Sequence, residues 1–230
     1  MKYTFVTVNF NTPELVDALI KSIYKNSGIP KEDINIIVFD NSDKRPFVSN
    51  DVTVIDNTKG QIINFEKWLN TFPNKRSAES TKNNYGSDKH CYTIEWLIHH
   101  IPGGFMLLDS DVLIISPIKH LFDNNYPYVG EIEPGISVRH HDRVLPYLCY
   151  LNTDYILEHN IKYFDEKHTW ALDASVKRRF DTGAGLLRNL WQVKGKNITL
   201  SKYILHFQSC WRKDLESQKE WLLENKKYYE

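Results

Sequence analysis

The sequence predicts an α/β protein with a mostly parallel central sheet, flanking helices and a less regular second half. Apolar, β-branched runs alternate with helical patterns, and the links between them are short. Two of these runs, 34–39 and 105–108, are almost continuously apolar, as in strands that a parallel sheet buries on both faces. Ligands of such sheets bind beyond the carboxyl ends of the strands, so we expect the functional residues there.

Elements of the first half follow this alternation. The predicted strands are Thr4–Asn9, Ile34–Phe39, Val52–Ile55 and Phe105–Leu108, and the predicted helices run from Pro13 to about Lys25, from Ile63 to Leu69 and from Tyr92 to His100. Thr12 is the predicted N-cap of the first helix, with Pro13 at its first position. Residues 73–88 are polar and lack apolar periodicity, which predicts a mobile surface loop.

The second half contains shorter predicted elements. These are a strand or buried turn at 144–152, a short helix at 173–180, strands at 191–193 and 203–207, and a terminal helix at 212–228. Residues 1–212 are expected to form one domain, followed by a C-terminal helix at 213–230. That helix either packs onto the domain or lies on a membrane surface.

Composition and charge exclude several classes of protein. The 29 Lys and Arg residues balance 29 Asp and Glu residues, which argues against broad nucleic-acid binding through a cationic surface. No run of about 18 apolar residues and no signal-peptide pattern is present, so no transmembrane segment is expected. Three widely spaced cysteines, Cys91, Cys149 and Cys210, favour a reducing, cytoplasmic location over a disulfide framework or a zinc site.

An acidic triplet, Asp109-Ser110-Asp111, directly follows the apolar strand 105–108 and precedes another apolar run. Two carboxylates in such surroundings are costly unless something pairs them. A divalent cation with a preference for hard oxygen ligands, Mg²⁺ or Mn²⁺, would do so and is usually shared with substrate phosphates. The alternative interpretation is a solvated acidic turn.

Three segments in this order resemble the GT-A glycosyltransferases, particularly the family-2-like group with a DxD motif. They are Thr7–Thr12, Ile36–Ser42 and Phe105–Asp111. The resemblance implies a GT-A fold in which residues 1–120 bind a nucleotide sugar and residues 121–212 form the acceptor side. It further implies that Asn9 and Asn11 line the nucleoside, while Asp40 accepts a hydrogen bond from its base or ribose. For Asp40 and Asn41 the alternative is simple turn chemistry.

The same resemblance implies roles for residues elsewhere in the chain. Ser87 and His90 resemble an element that contacts donor phosphate or sugar, although Ser87 or Asp88 also suits an N-cap. Asp181 becomes the candidate catalytic base, with Gly183 allowing the backbone to approach a ligand closely; a helix end with a Gly turn is the alternative. Asp173 is the reserve base, and Glu131 and Glu133 are weaker candidates.

The implied metal site contains Asp109, Asp111 and the late histidine His206, which is otherwise a core histidine. The complete set of predicted substrate-binding residues is Thr7, Asn9, Asn11, Asp40, Asn41, Gly60, Ser87, His90, Asp109, Ser110 and Gly183. Together with Asp181 they would serve a Mn²⁺- or Mg²⁺-dependent transferase. It would move a sugar, favouring a UDP-sugar donor, to an acceptor hydroxyl with inversion.

Alternatives remain open for both the reaction and the acceptor. A nucleotidyltransferase has a similar acidic metal site, but it would need a Gly-rich basic loop where this chain has Asn9–Pro13. A catalytically silent sugar- or nucleotide-binding protein is the other alternative. The acceptor is a saccharide, a lipid-linked sugar, a protein or a modified nucleic-acid base, because a chain of this length lacks a second domain for elaborate recognition.

Overall fold

A computed structural model describes residues 2–70, 78–135, 142–164, 182–189, 194–207 and 214–230. The strands in these ranges are β1 (Tyr3–Asn9), β2 (Ile34–Asp40), β3 (Thr53–Asp56), β4 (Phe105–Asp109), β5 (Val112–Ile114), β6 (Tyr128–Gly130), β7 (Ile132–Glu133), β8 (Arg143–Val144), β9 (Leu148–Leu151), β10 (Lys196–Asn197) and β11 (Ile204–His206). The helices are α1 (Pro13–Asn26), α2 (Phe65–Asn70), α3 (Ala78–His100), α4 (Thr153–Glu158), α5 (Ala184–Asn189) and α6 (Leu215–Glu224).

The central sheet confirms the predicted α/β fold. Within the described ranges its strand order is β10-β6-β9-β4-β1-β2-β3. Strands β3, β2, β1 and β4 run parallel, whereas β9 is antiparallel to both β4 and β6. The register pairs Asn9 with Asp40 and Val8 with Asp109, so the carboxyl ends of β1, β2 and β4 meet at one edge.

Helices cover both faces of the sheet, because alternate residues of each buried strand point to opposite sides. One face packs Val6 and Leu107 against Ile94, Leu97 and Ile98 of α3. The other face packs its strand residues against α1, and the members of that cluster include Phe5, Val38, Met106, Val16, Leu19 and Ile23. The sheet is therefore the middle layer of three, which explains its continuous apolar runs.

A second, two-stranded sheet forms where the chain leaves β4. Strand β5 pairs antiparallel with β11, and Val112 lies opposite His206. The Ser22 hydroxyl of α1 accepts a hydrogen bond from the Ile114 backbone N–H at 3.0 Å, which fixes β5 to that helix. This small sheet brings a segment almost a hundred residues away in sequence next to the acidic triplet.

One expectation for the first half was wrong. Residues 78–88 belong to α3, which begins at Ala78, and do not form a surface loop. Apolar periodicity marks only helices with an apolar stripe, and this polar stretch has none. Ser87 and Asp88 therefore lie inside the helix and are not N-caps. The helix predicted at 173–180 and the strand at 191–193 lie outside the described residues.

The C-terminal segment packs onto α1. The Asn26 side-chain amide donates to the Tyr228 carbonyl at 2.7 Å, and the Lys25 ammonium donates to the Lys227 carbonyl at 2.9 Å. Helix α6 is shorter than predicted: Asp214 caps its start, accepting a hydrogen bond from the Ser217 N–H at 2.8 Å, and the α-helix ends at Glu224, before a 3₁₀ turn at Lys226–Tyr228. No helix in the described part of the chain combines the length and apolarity that a bilayer span requires.

Candidate active site

The loop after β1 is built around the buried side chain of Asn9. Its amide nitrogen donates to the Asp40 carboxylate at 3.0 Å and to the Ser42 hydroxyl at 2.9 Å. Its amide oxygen accepts from the Thr12 backbone N–H at 3.1 Å. Asn9 has no solvent exposure, so it holds the loop after β1 to the loop after β2 and does not present its amide to a ligand.

Asp40 also lies inside the protein, with 1% of its surface exposed. Besides Asn9, its carboxylate accepts hydrogen bonds from the backbone N–H of Ser42 at 3.0 Å and of Phe47 at 2.6 Å. These donors occupy both carboxylate oxygens. The geometry therefore supports the turn-forming interpretation of Asp40 over the expected contact with a base or ribose.

Asn11 shapes the outer part of the same edge. Its φ of 62° lies in the left-handed region, which asparagine tolerates better than most residues. The side-chain oxygen accepts from the N–H groups of Lys44 and Arg45, both at 2.9 Å, and the amide donates to Asp43 at 2.6 Å. Asn11 remains partly exposed just beyond the carboxyl end of β1.

A chain of amides connects the end of β2 to α3. Asn41 donates to the Thr93 hydroxyl at 3.0 Å and accepts from the Asn57 amide at 2.8 Å. Asn57 also accepts from the Ile63 N–H at 2.9 Å, which closes the turn that contains Gly60. The φ of 66° at Gly60 shows that this glycine permits the turn geometry.

The acidic triplet occupies the turn between β4 and β5. Asp109 ends β4, Ser110 approaches Thr12 with 3.1 Å between the hydroxyl oxygens, and Asp111 immediately precedes β5. Asp111 is 7% exposed, and its carbonyl oxygen accepts from the Phe207 N–H at 2.9 Å. The solvated-turn interpretation does not suit a carboxylate as buried as that of Asp111.

His206 lies beside Asp111, as the metal-site prediction requires. The Nε2 atom of His206 is 3.4 Å from Oδ1 of Asp111. Two donors that bind one cation at about 2.1 Å each, at roughly right angles, lie about 3.0 Å apart, so a small rotation suffices to share an ion. The donor set of one carboxylate oxygen and one imidazole nitrogen suits Mn²⁺ well.

Asp109 forms a second pair, with His90 of α3. The Nε2 atom of His90 is 3.6 Å from Oδ1 of Asp109, and both side chains are mostly buried. Within the described residues, no group of three or more His, Cys, Asp or Glu side chains surrounds one metal position. The residues fit a cation that takes its remaining ligands from water and substrate phosphate, which is how Mg²⁺ is usually held.

The other predicted residues have different positions. Thr7 lies within the sheet, where its hydroxyl has no hydrogen-bond partner among the described residues. Gly183 packs against β8: a Cβ at this position would lie 1.9 Å from the Val144 carbonyl oxygen. The backbone of Val144 therefore occupies the space beside Gly183 that a ligand was expected to occupy. The side chain of Ser87 and the whole of Asp181 lie outside the described residues.

Tyr147 and Arg143 were not among the predicted site residues. Tyr147 packs against the His206 ring in a tilted arrangement, with 3.9 Å between ring centroids. Arg143 of β8 donates to the Glu133 carboxylate of β7 at 2.7 Å. Neither residue belongs to a sequence motif. Only the pairing of distant strands brings Tyr147 to the edge of the sheet where β4 ends.

Lys89 adds a cation at the rim of the site. Its ammonium lies over the rings of Phe10 and Phe65, 5.8 Å and 5.3 Å from their centroids. Burial lowers the pKa of Lys89, while the carboxylates of Asp43 and Glu66 act in the opposite direction. The edge of the sheet therefore combines acidic, imidazole and cationic groups around the ends of three strands.

No protein-family model matches the sequence, and no curated protein is significantly similar to it. Similar solved structures are glycosyltransferases. The galactosyltransferase LgtC, in complex with donor and acceptor sugar analogs, has a TM-score of 0.44 and 14% identity, and the match covers 65% of this chain and 58% of LgtC. GlyE of Streptococcus pneumoniae has a TM-score of 0.47 and 9% identity, and the match covers 88% of this chain and 46% of GlyE.

A third similar structure is the mannosyltransferase PcManGT from Pyrobaculum calidifontis, in complex with GDP-Man and Mn²⁺. Its TM-score is 0.38 at 13% identity, covering 79% of this chain and 54% of PcManGT. This chain thus matches only about half the length of these three proteins. Similarity at this level does not define a function, so the site itself must support one.

The buried hydrogen bonds of Asp40 lead to a stability prediction. In Asp40→Asn, an amide NH₂ replaces one acceptor oxygen and faces backbone N–H groups. We expect the free energy of unfolding to fall by about 2–3 kcal/mol, since hydrogen bonds to charged groups are worth about 1.5–3 kcal/mol. Urea unfolding followed by circular dichroism measures this change.

Asp56→Asn is the matched control, because Asp56 bonds Thr58 in an exposed turn at the end of the neighbouring strand. There we expect a change within about 0.5 kcal/mol. If Asp40→Asn has unaltered stability but binds nucleotide more weakly, the structural role is contradicted. Asp40 would then contact the nucleotide, as the sequence analysis expected.

Proposed function

We propose that this chain is a metal-dependent glycosyltransferase that moves a sugar from a nucleotide-diphosphate sugar to an acceptor hydroxyl. The observation that carries the proposal is the 3.4 Å approach of the His206 imidazole to the Asp111 carboxylate. This pair lies at the sheet edge where ligands of parallel α/β proteins bind. The resemblance of the sequence to GT-A enzymes supplies the reaction class.

Asp111 and His206 are the residues that would hold Mn²⁺ or Mg²⁺, and the imidazole ligand favours Mn²⁺. When bound, the ion supplies positive charge that stabilises the diphosphate leaving group. Asp109, paired with His90, would bind through water or to the donor ribose. Ser110, hydrogen-bonded to Thr12, keeps the two carboxylates on either side of the turn.

The donor side is assigned to residues 1–120 and the acceptor side to residues 121–212. On the donor side, Asn11 and the Gly60 turn border the position of the nucleoside, for which we propose uridine. Asn9 and Asp40 hold these loops together through their hydrogen bond, and Asn41 attaches the loop after β2 to Thr93 of α3. Because these loops are fixed before the donor arrives, binding does not have to order them.

Asp181 is the proposed catalytic base. It would accept the proton of the acceptor hydroxyl as that oxygen forms a bond to the anomeric carbon. The bond from this carbon to the diphosphate oxygen breaks on the opposite face, so the configuration inverts. Two residues later, the Gly183 carbonyl accepts a hydrogen bond from the Val144 N–H at 3.3 Å, which attaches Gly183 to β8.

The first test of the proposed function replaces the proposed metal ligands. With a panel of nucleotide sugars, we expect wild-type protein to release nucleoside diphosphate in a Mn²⁺-dependent way. Asp111→Asn and His206→Gln should each lower this rate about a hundredfold, because the leaving group loses its counter-charge. Chromatography of the nucleotide products measures both the rate and the product.

His159→Gln is the control, because His159 follows α4 and stacks on Tyr155, outside the candidate site. We expect it to retain the wild-type rate. Mn²⁺-independent turnover, or an Asp111→Asn rate within threefold of wild type, would overturn the metal role. Release of pyrophosphate would instead identify a nucleotidyltransferase.

The base assignment has its own test. Asp181→Asn should lower the rate of sugar transfer by about a hundredfold or more, the usual contribution of a positioned base. Mn²⁺ and nucleotide affinity should stay within twofold, since the base does not hold the donor. Asp173→Asn, which removes the reserve base candidate, is compared with Asp181→Asn, and its transfer rate stays near wild type if Asp181 is the base. A transfer rate of Asp181→Asn within a fewfold of wild type would contradict the assignment of Asp181 as the catalytic base.

A further inference from the structure

Tyr147 reaches the metal site through strand pairing. The residue lies in the turn between β8 and β9, immediately before Leu148. In the antiparallel register of β4 and β9, Leu148 lies opposite Leu108. The pairing ends there: Asp109 is the residue after Leu108 and Tyr147 is the residue before Leu148, so strand pairing brings both to the same end of the β4–β9 ladder.

The ring of Tyr147 packs on the imidazole of His206. The two ring centroids are 3.9 Å apart, and the planes are inclined by 37°. Burial raises the pKa of the Tyr147 hydroxyl; Arg143 lowers it, and Asp109 and Asp111 are close enough to raise it further. The ring therefore lies within the charged site.

His206 needs such a contact because its strand fixes only its backbone. Pairing with β5 places the Cα atom of His206 opposite Val112, whereas rotation of the imidazole about χ2 has a broad, two-fold preference. Metal-binding histidines usually fix this rotation by a hydrogen bond from the second ring nitrogen. Among the described residues, none makes a hydrogen bond to Nδ1 of His206.

We propose that Tyr147 is a positioning residue of the metal site, whose ring holds the His206 imidazole with Nε2 facing the Asp111 carboxylate. The inference rests on the proposed function, because it concerns the same metal site. Tyr147 itself donates no ligand to the ion. Its aromatic face replaces the hydrogen bond that usually orients a metal-binding histidine, and a ring without the hydroxyl should therefore serve equally well.

Full-length Tyr147→Phe and Tyr147→Leu test this proposal. Mn²⁺ affinity is measured by electron paramagnetic resonance with Mn²⁺ and UDP, and electron spin-echo modulation reports ¹⁴N bound to Mn²⁺. We expect Tyr147→Phe to bind Mn²⁺ within twofold of wild type. We expect Tyr147→Leu to bind about tenfold more weakly, with a reduced ¹⁴N signal, since lost orientation of a ligand costs about 10–100-fold in affinity.

Tyr203→Leu is the matched control, because Tyr203 also contacts a histidine, His120, and directly precedes β11. It should leave both Mn²⁺ readouts unchanged. If Tyr147→Leu does not fold, Tyr147→Met removes the planar ring while keeping apolar volume, and the same loss is expected.

Three outcomes overturn the proposal, and a fourth refutes the proposed function on which it rests. Wild-type affinity and ¹⁴N signal in the leucine or methionine variant would show that the ring does not orient His206. A tenfold loss in Tyr147→Phe would assign the effect to the hydroxyl. Absence of a ¹⁴N signal in wild-type protein with bound Mn²⁺ would refute His206 ligation itself; no Mn²⁺ binding at all would refute the proposed function.

Discussion

The hydrogen bond from the Phe207 N–H to the Asp111 carbonyl is the contact on which the site depends. It joins the end of β11 to the turn after β4, which places His206 beside a carboxylate 95 residues earlier in the chain. Packing supports this junction: the Phe207 ring lies 5.1 Å from that of Trp221 on α6. The C-terminal helix therefore supports the site from outside the sheet, where it also packs on α1.

Buried polar contacts hold the other side of the site. The Asn9–Asp40 pair lies where β1 and β2 end, and its hydrogen bonds extend to Ser42 and Phe47. Networks of this kind are rigid when every member is satisfied, because each broken bond leaves a desolvated polar group. Buried, hydrogen-bonded side chains thus form a rigid base for the proposed donor site. Only partly exposed groups such as Asn11 remain available to contact a ligand.

The sequence predicted β1, β2, β3 and β4 well, because strands of a parallel sheet are marked by apolar, β-branched runs. The short strands β6, β7 and β10 were not predicted, since two or three residues carry too little pattern. His206 was also predicted beside Asp111, through the family resemblance. The polar start of α3 at Ala78 was missed, since a helix without an apolar stripe has no periodic signal. Tyr147 was missed for another reason: its role depends on the β4–β9 register, which no local pattern encodes.

The central claim is that Asp111 and His206 bind one divalent cation together with a diphosphate. Crystals grown with Mn²⁺ and UDP, measured at the manganese absorption edge, test this claim most directly. We expect an anomalous peak within bonding distance of a carboxylate oxygen of Asp111, of Nε2 of His206 and of phosphate oxygens. A diphosphate bound elsewhere, or a manganese peak that contacts neither side chain, would contradict it.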